Sequence, residues 1–438
     1  MFEESILVEK SLPLNGEVNL SGAKNAVLVI MTSLLLTSGK SILRNIPASE
    51  DVFCMIELLQ KLGVEVNFDI INKTLYADTS HINNFKIDST IMKRMRASVL
   101  ALGPLLARFG YASLAMPGGC SIGTRPINFH LTNFKKMGVE FSQDGEYLVG
   151  KVNKLNAKKL ILEYPSVGAT ENIVMAATLT MGKTTIINAA LEPEVLDLID
   201  ILKKMGANIS ILAPATIEIE GVQTLSPVDH FVMCDRLEAG SLLLAAAISG
   251  GDIYIPNAQA NYLDVFLLKL EDMGHTIITQ ENIPGIRLIA TNKPQAVSFK
   301  TMPYPGFPTD LQAPMMAALA LAEGVSEIEE TVYENRFLHA AELNKMGANI
   351  QINGTKALVT GVKELNGMSV NATDIRASCA LVIAGLVASG QTTIKNIHHF
   401  KRGYDELDKK LNSVGAKVTV NNYPSIPHVV SSYGQKEI

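Results

Sequence analysis

The chain has little cysteine, and its cysteines are not arranged for metal binding or disulfides. Among 438 residues there are four, Cys54, Cys120, Cys234 and Cys379, widely scattered and with no CxxC pair. Zinc sites and disulfide frameworks depend on closely spaced cysteine or histidine residues. The sequence therefore predicts reduced thiols, as in a cytoplasmic protein, and no metal.

Three other absences narrow the function. The longest apolar runs, such as residues 27–36 and 380–387, are well short of the ~20 residues that cross a bilayer, and the N-terminus lacks a signal-peptide pattern. A net charge of -5 argues against nucleic-acid binding through a basic surface. There is no P-loop, no GxGxxG after a strand and no HExxH. We expect no membrane span, no nucleic-acid partner and no cofactor.

A helix that ends in glycine and leads into a strand occurs six times. The six glycines are 68 to 75 residues apart: Gly63, Gly138, Gly206, Gly274, Gly347 and Gly415. Each stands where a helix C-terminus favours a left-handed residue before the next strand. Such a period predicts six α/β units of roughly 70 residues.

A second pattern alternates with the first. It is a helix that is apolar on nearly every face, then a turn of small residues, then a β-branched strand. The six examples are Asn25 to Leu43, Arg96 to Ala115, Glu171 to Ile187, Glu238 to Ile255, Leu311 to Ile328 and Asp374 to Ile394. Because a helix without a polar face is a buried one, each unit should have a buried helix walled by strands.

A chain of this length usually forms two domains, so we expect two similar domains of three units each. The predicted divisions are residues 22–233, residues 1–21 with 234–426, and a C-terminal tail at 427–438. The boundary is expected near Gln223 to Asp235, where Ser226 to Asp229 has the composition of a connection. The N-terminal strand Ser5 to Val8 is expected to pair with the second domain. A passive binding scaffold of stacked repeats remains an alternative.

The stretch Met116 to Pro126 places one thiol in a glycine-rich loop. The glycines let the backbone bend and approach a ligand closely, and Arg125 near Cys120 favours the thiolate. The alternative is a buried, inert thiol. We apply it to the other three cysteines, whereas the glycines argue against it for Cys120. His130 is either a phosphate contact or an ordinary half-buried histidine.

Six of the ten arginines fall at corresponding junctions of the units: Arg96, Arg125, Arg236, Arg336, Arg376 and Arg402. Arginine binds carboxylate or phosphate in bidentate fashion, so the set predicts a shared anionic site, although any one could form an ion pair between units. Lys24 and Asn25 open the first buried helix, whose free N–H groups attract anions. Asp310 and Asp374 also open buried helices, where capping is the usual role. The rigid approach Tyr304 to Pro308 makes Asp310 a candidate general base.

Eight motifs, in order, resemble the UDP-N-acetylglucosamine 1-carboxyvinyltransferases of the enolpyruvyl transferase superfamily. The resemblance runs from about Val8 to Val418. Its motifs are Ser21 to Ala26, Met95 to Ser98, Pro117 to Gly123, Pro165 to Thr170, Pro305 to Asp310, Glu334 to Phe337, Thr373 to Ala377 and Arg402 to Tyr404. The Pro-Gly-Gly-Cys loop separates this family from the shikimate-pathway enzyme, which lacks that cysteine.

The resemblance implies a fold, a reaction and a set of site residues. The fold is α/β, with two similar inside-out α/β barrel domains of three units each. The reaction transfers the enolpyruvyl group of phosphoenolpyruvate to the 3-hydroxyl of UDP-N-acetylglucosamine with release of phosphate, the first committed step of peptidoglycan synthesis. The implied catalytic residues are Cys120, Asp310, Lys24 and Arg402. The implied substrate-binding residues are Lys24, Asn25, Arg96, Arg125, Pro126, Ile127, Asn128, Phe129, Ser166, Val167, Gly168, Asp310, Val332, Arg336, Arg376 and Arg402.

In these roles Cys120 would protonate the methylene carbon of phosphoenolpyruvate, and Asp310 would take the proton of the attacking hydroxyl. An epoxide such as fosfomycin would alkylate Cys120. No metal or cofactor is implied, and a monomer or weak homo-oligomer is expected. The chain departs from the family pattern at Asn128, Tyr164, Leu191 and Lys401. A related transferase acting on another acceptor, such as shikimate 3-phosphate, therefore stays open.

Overall fold

The computed structural model describes residues 4–115, 123 and 127–421. Within these ranges no helix has both the length and the apolar character to span a membrane. Over the same residues the helices are α1 (Lys24–Ser33), α2 (Glu50–Lys61), α3 (Ser89–Arg94), α4 (Leu102–Phe109), α5 (Asn128–Lys136), α6 (Val167–Thr178), α7 (Pro193–Lys204), α8 (Arg236–Ser249), α9 (Asp264–Asp272), α10 (Gln312–Leu319), α11 (Leu338–Lys345), α12 (Ile375–Gly385), α13 (His398–Gly403) and α14 (Leu407–Ser413), with 3-10 turns at Leu34–Leu36, Arg96–Ala101, Ala260–Tyr262 and Thr309–Leu311.

The strands of the described residues form six four-stranded sheets. They are β1 (Ser5–Glu9), β2 (Asn15–Glu17), β3 (Lys40–Arg44), β4 (Glu65–Asp69), β5 (Thr74–Asp78), β6 (Lys86–Ile87), β7 (Tyr111–Ala115), β8 (Glu140–Asp144), β9 (Tyr147–Lys151), β10 (Lys159–Ile161), β11 (Gly182–Ile187), β12 (Asn208–Leu212), β13 (Thr216–Gly221), β14 (Asp229–Phe231), β15 (Asp252–Ile255), β16 (Thr276–Gln280), β17 (Ile283–Ile289), β18 (Phe299–Lys300), β19 (Val325–Glu329), β20 (Asn349–Asn353), β21 (Lys356–Thr360), β22 (Ser369–Asn371), β23 (Gln391–Lys395) and β24 (Lys417–Asn421). One sheet per predicted unit confirms the α/β fold class.

The sheets share one plan. In β10-β11-β13-β12, β10 lies parallel to β11, and the other neighbours pair antiparallel. The sheets β6-β7-β9-β8 and β18-β19-β21-β20 repeat this order. The first and last strands of the described residues share the sheet of the sixth unit, where β1 lies between β23 and β24. The N-terminal strand therefore pairs with the last unit, and β2 joins the fourth sheet beside β15.

The helices predicted to be buried lie at the centre of each half. All eight residues of α10 are buried, and α12 is buried from Arg376 to Gly385. Helices α8, α10 and α12 pack on one another, as do α4 and α6, while α1 packs against the 3-10 turn that precedes α4. These contacts remove the helices from water. A helix that is apolar on nearly every face is stable only when it is buried in this way.

The buried apolar residues form two separate clusters. One is drawn from residues 23–232, which we call the first half. The other is drawn from residues 6–20 and 237–418, which we call the second half. This division supports the domain limits expected from the sequence, which stay a prediction. The expected connection at 226–229 is wrong in one respect, because Asp229 already begins β14 and pairs with Ile42 of β3. The expected tail at 427–438 lies outside the described residues.

The six glycines of the repeat all have left-handed backbone. Their φ angles are between +92° and +106° at 63, 138, 206, 274, 347 and 415. At Gly206 an added Cβ would meet no atom within 4 Å. The glycine is needed there for its backbone conformation and not for space.

Candidate active site

Three of the implied site residues lie at the N-terminal end of a central helix or in the turn before one. Lys24 is the first residue of α1, Arg376 is the second of α12, and Asp310 lies in the 3-10 turn before α10. Arg402 lies in the short helix α13. The helices themselves are fixed by their buried apolar faces, so their first turns hold these side chains in defined positions.

Asp310 is held by two arginines. Its Oδ1 accepts a hydrogen bond from Arg336 Nη2 at 2.6 Å, and its Oδ2 accepts one from Arg376 Nη2 at 2.8 Å. Both arginines are almost fully buried, whereas 26% of the Asp310 side chain is exposed. Burial alone would raise the pKa of the Asp310 carboxyl, but the guanidinium groups hold it well below its usual range. Asp310 is therefore a carboxylate that faces an opening.

A second cluster joins the two remaining cations through an acid that the sequence reasoning missed. Asp51 Oδ2 lies 2.7 Å from Lys24 Nζ, and Asp51 Oδ1 accepts a hydrogen bond from Arg402 Nε at 2.8 Å. Asp51 is 3% exposed. An acid in the first turn of a helix is usually explained by the helix dipole. No local pattern indicated that Asp51 would meet a residue so far along the chain.

The charge of Lys24 also lowers the pKa of Asp310, so the two clusters lie close enough to interact electrostatically. The first half supplies Lys24 and Asp51, and the second supplies the other members. The predicted anion site at the start of α1 needs one correction. The backbone N–H of Lys24 already donates to Asp235 Oδ2 at 3.2 Å, so the site predicted there has one backbone donor fewer for a ligand.

A separate group surrounds His130. Its Nδ1 lies 3.0 Å from Asn172 Nδ2, and burial, followed by the charge of Arg96, lowers the pKa of His130 to about 4. The ring packs beneath Gly168, where an added Cβ would lie 3.4 Å from His130 Cε1. His130 is therefore a buried neutral histidine, as the less specific of the two interpretations had it. The 3-10 turn that begins at Arg96 packs against α6.

The helix starts in this region are open to solvent. Asn128 begins α5 and is exposed, Phe129 is half-buried and Ile127 is buried. Ser166 caps α6 by accepting from Ala169 N at 3.4 Å. Because α5 and α6 pack together, two helix N-termini and Arg96 lie in one region, which is the arrangement that binds phosphate groups.

Val332 is tied to the segment of Asp310 by a buried acid that the sequence did not single out. Glu330 Oε1 accepts hydrogen bonds from Val332 N at 2.9 Å and from Tyr333 N at 3.2 Å. Its Oε2 accepts from Thr309 Oγ1 at 3.0 Å. Glu330 thus fixes the spacing between the Val332 backbone and the turn that carries Asp310.

Gly123, in the stretch that carries the predicted thiol, lies against Glu334 of the second half. Gly123 has φ +151°, and an added Cβ would lie 2.2 Å from Glu334 Oε2. Only glycine fits there unless Glu334 moves. The predicted site residues Cys120, Arg125 and Pro126 lie outside the described residues.

Two residues singled out by the sequence have other partners. Arg236 is 8% exposed and forms a bidentate pair with Glu194, at 3.0 and 3.1 Å, so it is an ion pair between units and not a free anion ligand. Lys401 donates to Glu4 Oε2 at 3.0 Å.

Two further departures from the family pattern lie among the described residues. Burial raises the pKa of Tyr164 to about 12, so the hydroxyl of Tyr164 stays protonated. Leu191 is half-buried.

Among the described residues, the ligand atoms of Asp197, Asp200 and His230 come within 4.8 Å of one another. Lys204 already occupies this group. Its Nζ lies 2.7 Å from Asp200 Oδ2 and 3.2 Å from His230 Nδ1. A cation there would have to displace an ammonium, so the group gives no support for a metal.

The chain is similar to known proteins over almost its whole length. The family model for EPSP synthase (3-phosphoshikimate 1-carboxyvinyltransferase) matches residues 8–411. A UDP-N-acetylglucosamine 1-carboxyvinyltransferase from Thermodesulfovibrio yellowstonii is 47% identical over 416 residues, covering 95% of this chain and 99% of that protein. UDP-N-acetylglucosamine 1-carboxyvinyltransferase 1 from Caldanaerobacter subterraneus subsp. tengcongensis is 47% identical, covering 94% and 98%.

Solved structures agree with these relatives. The enolpyruvyl transferase NikO from Streptomyces tendae has a TM-score of 0.87 at 25% identity, covering 96% of this chain and all of that one. An EPSP synthase from Acinetobacter baumannii has a TM-score of 0.75 at 16% identity, a likeness of fold alone. The resemblance seen in the sequence is thereby confirmed: the chain belongs to the enolpyruvyl transferase (EPSP synthase) family, among the UDP-N-acetylglucosamine 1-carboxyvinyltransferases.

Proposed function

We propose that this enzyme transfers the enolpyruvyl group of phosphoenolpyruvate to the 3-hydroxyl of UDP-N-acetylglucosamine and releases phosphate. Relatives of that name at 47% identity support the proposal. The observation that carries it is two neighbouring groups of charges, with Arg336 and Arg376 on a partly exposed Asp310 and with Lys24 and Arg402 on Asp51. Such a site combines cations for a trianionic substrate with a carboxylate near the reacting atoms.

The arginines and Lys24 would bind the phosphate and carboxylate of phosphoenolpyruvate. The 3-hydroxyl oxygen of the sugar bonds to C2 of phosphoenolpyruvate, and its proton goes to Asp310. Cys120 gives a proton to C3, so that a tetrahedral intermediate forms. The C2–O bond to phosphate then breaks and C3 returns a proton to the Cys120 thiolate, which restores the double bond. The proton held by Asp310 leaves with the released phosphate. No oxidant, reductant or cofactor is required.

The ion pairs of Asp310 bear on its role as a base. A carboxylate paired with two arginines is a weak base. Phosphoenolpyruvate brings its own phosphate and carboxylate to the same guanidinium groups. By competing for Arg336 and Arg376 it would weaken their hold on Asp310 and raise that carboxyl's pKa. Asp310 would then become a better base only when substrate is bound.

The nucleotide is proposed to bind beside the starts of α5 and α6. Arg96 and the helix N-termini at Asn128 and Val167 supply positive potential for a diphosphate. Ser166 and Gly168 are half-buried at the surface of this region, and Val332 is on the opposite half. Asn128 and Tyr164 replace residues usual in the family, so we expect the contacts to the nucleotide to differ in detail.

A phosphate-release assay tests this function. Phosphate should appear only when phosphoenolpyruvate and UDP-N-acetylglucosamine are both present, and Asp310→Asn should lower kcat by about 10²–10⁴-fold because the base is lost. Asp252→Asn is the matched control. It removes an exposed carboxylate that is also paired with an arginine, Arg287, and should leave kcat unchanged.

Folded protein that releases no phosphate with both substrates would refute the proposal. Release with shikimate 3-phosphate in place of the nucleotide sugar would favour the alternative acceptor. We also propose that the enzyme acts in the cytoplasm, in peptidoglycan synthesis, as a monomer or weak homo-oligomer. The free thiols of Cys54, Cys234 and Cys379 support a reducing compartment.

A further inference from the structure

Asp51 is buried between the two cations that the reaction would need most. It is the second residue of α2, which packs against both α1 and α13. The neighbouring Val52 and Met55 are fully buried and fix this first turn. The Asp51 carboxylate therefore has a fixed position, whereas Lys24 and Arg402 are long side chains that gain their orientation from it.

The contacts leave the cations free on the side away from Asp51. Arg402 uses Nε for Asp51, and in the described part of the chain its guanidinium makes no other hydrogen bond. Both terminal nitrogens can therefore bind an anion as a fork. Lys24 Nζ meets Asp51 at 2.7 Å and keeps its other N–H groups for a ligand. Arg402 is 28% exposed and Lys24 is 14% exposed, so both are accessible.

We propose that Asp51 is a positioning residue for phosphoenolpyruvate, which aims Lys24 of the first half and Arg402 of the second half at one bound anion. The inference rests on the proposed function. Asp51 touches neither substrate and acts through the two cations. The burial cost of the Asp51 charge is offset by the same two partners, which keep the pKa of its carboxyl below the usual value.

Electrostatics alone predicts the opposite effect of removing Asp51. A carboxylate within 3 Å of two cations weakens their attraction for an anion. Neutralising it would therefore tighten phosphoenolpyruvate binding if orientation did not matter. If orientation dominates, Lys24 and Arg402 no longer point to the same anion and phosphoenolpyruvate binds more weakly, since small misplacements at a reacting centre are costly. The sign of the change thus separates the two roles.

The experiment compares Asp51→Asn with wild type and with Asp405→Asn. Asp405 is 5% exposed and pairs with Lys73 of the other half at 2.7 Å. The control therefore removes a buried carboxylate whose hydrogen bonds are with Ser21 and Lys73 and not with Lys24 or Arg402. In Asp51→Asn we expect KM for phosphoenolpyruvate to rise about tenfold or more and kcat to fall. KM for UDP-N-acetylglucosamine should change less than about twofold in both variants, since the nucleotide lies elsewhere.

An unchanged or lower KM for phosphoenolpyruvate in Asp51→Asn would overturn the proposal, as would an equal rise in Asp405→Asn. If Asp51→Asn does not fold, Asp51→Glu serves instead. It keeps the charge but displaces both cations, so KM should still rise several-fold, and a wild-type KM would count against positioning. If the wild-type enzyme releases no phosphate, the proposed function fails separately. The role of Asp51 is then tested by the rise in unfolding temperature that inorganic phosphate causes. This rise should be smaller in Asp51→Asn than in the wild type.

Discussion

The thiols of this chain differ in what surrounds them. Burial raises the pKa of Cys54 to about 11 and also raises the pKa values of Cys234 and Cys379. At neutral pH a thiol with a pKa near 11 is ionised in about one molecule in ten thousand. These three are poor nucleophiles, in keeping with the inert role predicted for them. Cys120 lies outside the described residues, and its reactivity stays a prediction from the glycine-rich loop and Arg125.

We therefore expect fosfomycin to form one covalent adduct, at Cys120. The epoxide carbon bonds to sulfur and its ring oxygen takes up a proton. Peptide mapping by mass spectrometry after incubation with UDP-N-acetylglucosamine is the measurement, and Cys120→Ser, which keeps the three other thiols, is the control. An adduct on Cys54, Cys234 or Cys379, or none on the folded wild type, would contradict the assignment.

At the scale of helices and strands, the glycine that ends each surface helix could be foreseen. Its position follows from short-range geometry, since a helix that must turn into a strand within one residue needs a left-handed backbone. The buried helices could be foreseen for a similar reason, because an apolar residue on every face leaves no side for water. Both signals are local, and the structure has both.

Replacing two of these glycines separates backbone strain from steric contact. Gly206→Ala meets no neighbour, so it should reduce the free energy of unfolding by about 1–2 kcal/mol through the left-handed backbone alone. Gly138→Ala has a similar φ but would place Cβ 2.6 Å from Asn156 Nδ2, and it should cost more. Urea denaturation measures both. Gly206→Asn should recover part of the loss, and equal stability of all variants would show that the backbone is not strained there.

At the scale of the whole molecule, the N-terminal strand β1 belongs to the core built by residues 237–418. Ile6 and Val8 of β1 are fully buried in the cluster that continues at 237–418. The chain therefore leaves one core after β2 and returns to it more than two hundred residues later. In the candidate site, the ion pair between Asp51 and Arg402 lies where the two cores meet.

Truncation of Ile6 tests whether the two cores are separate domains. Ile6→Ala should lower the free energy of unfolding by about 2–5 kcal/mol. In native hydrogen exchange the loss of protection should fall in residues 237–418 and spare residues 23–232. Leu12→Ala, at a side chain that is 78% exposed, is the control and should change little. A uniform loss over both ranges would argue for a single cooperative unit.

The sequence by itself determined the six units, their buried helices, the glycine ends and the motifs that give the family. These follow from periodicity and from residues that act within a few positions of one another. It also indicated which cations were candidates for an anionic site. It did not determine which of them were free, because every arginine is equally able to pair with an acid.

Only the tertiary structure decided the pairing. Arg236 is paired with Glu194, so its guanidinium is not free to bind an anion. Arg336 and Arg376 both donate to Asp310. Asp51 meets Arg402 across 351 positions of the chain. No local pattern specifies such a contact, since it depends on how two separately built cores face each other. The repeat fixed the units, and the packing of the two halves selected the residues that form the site.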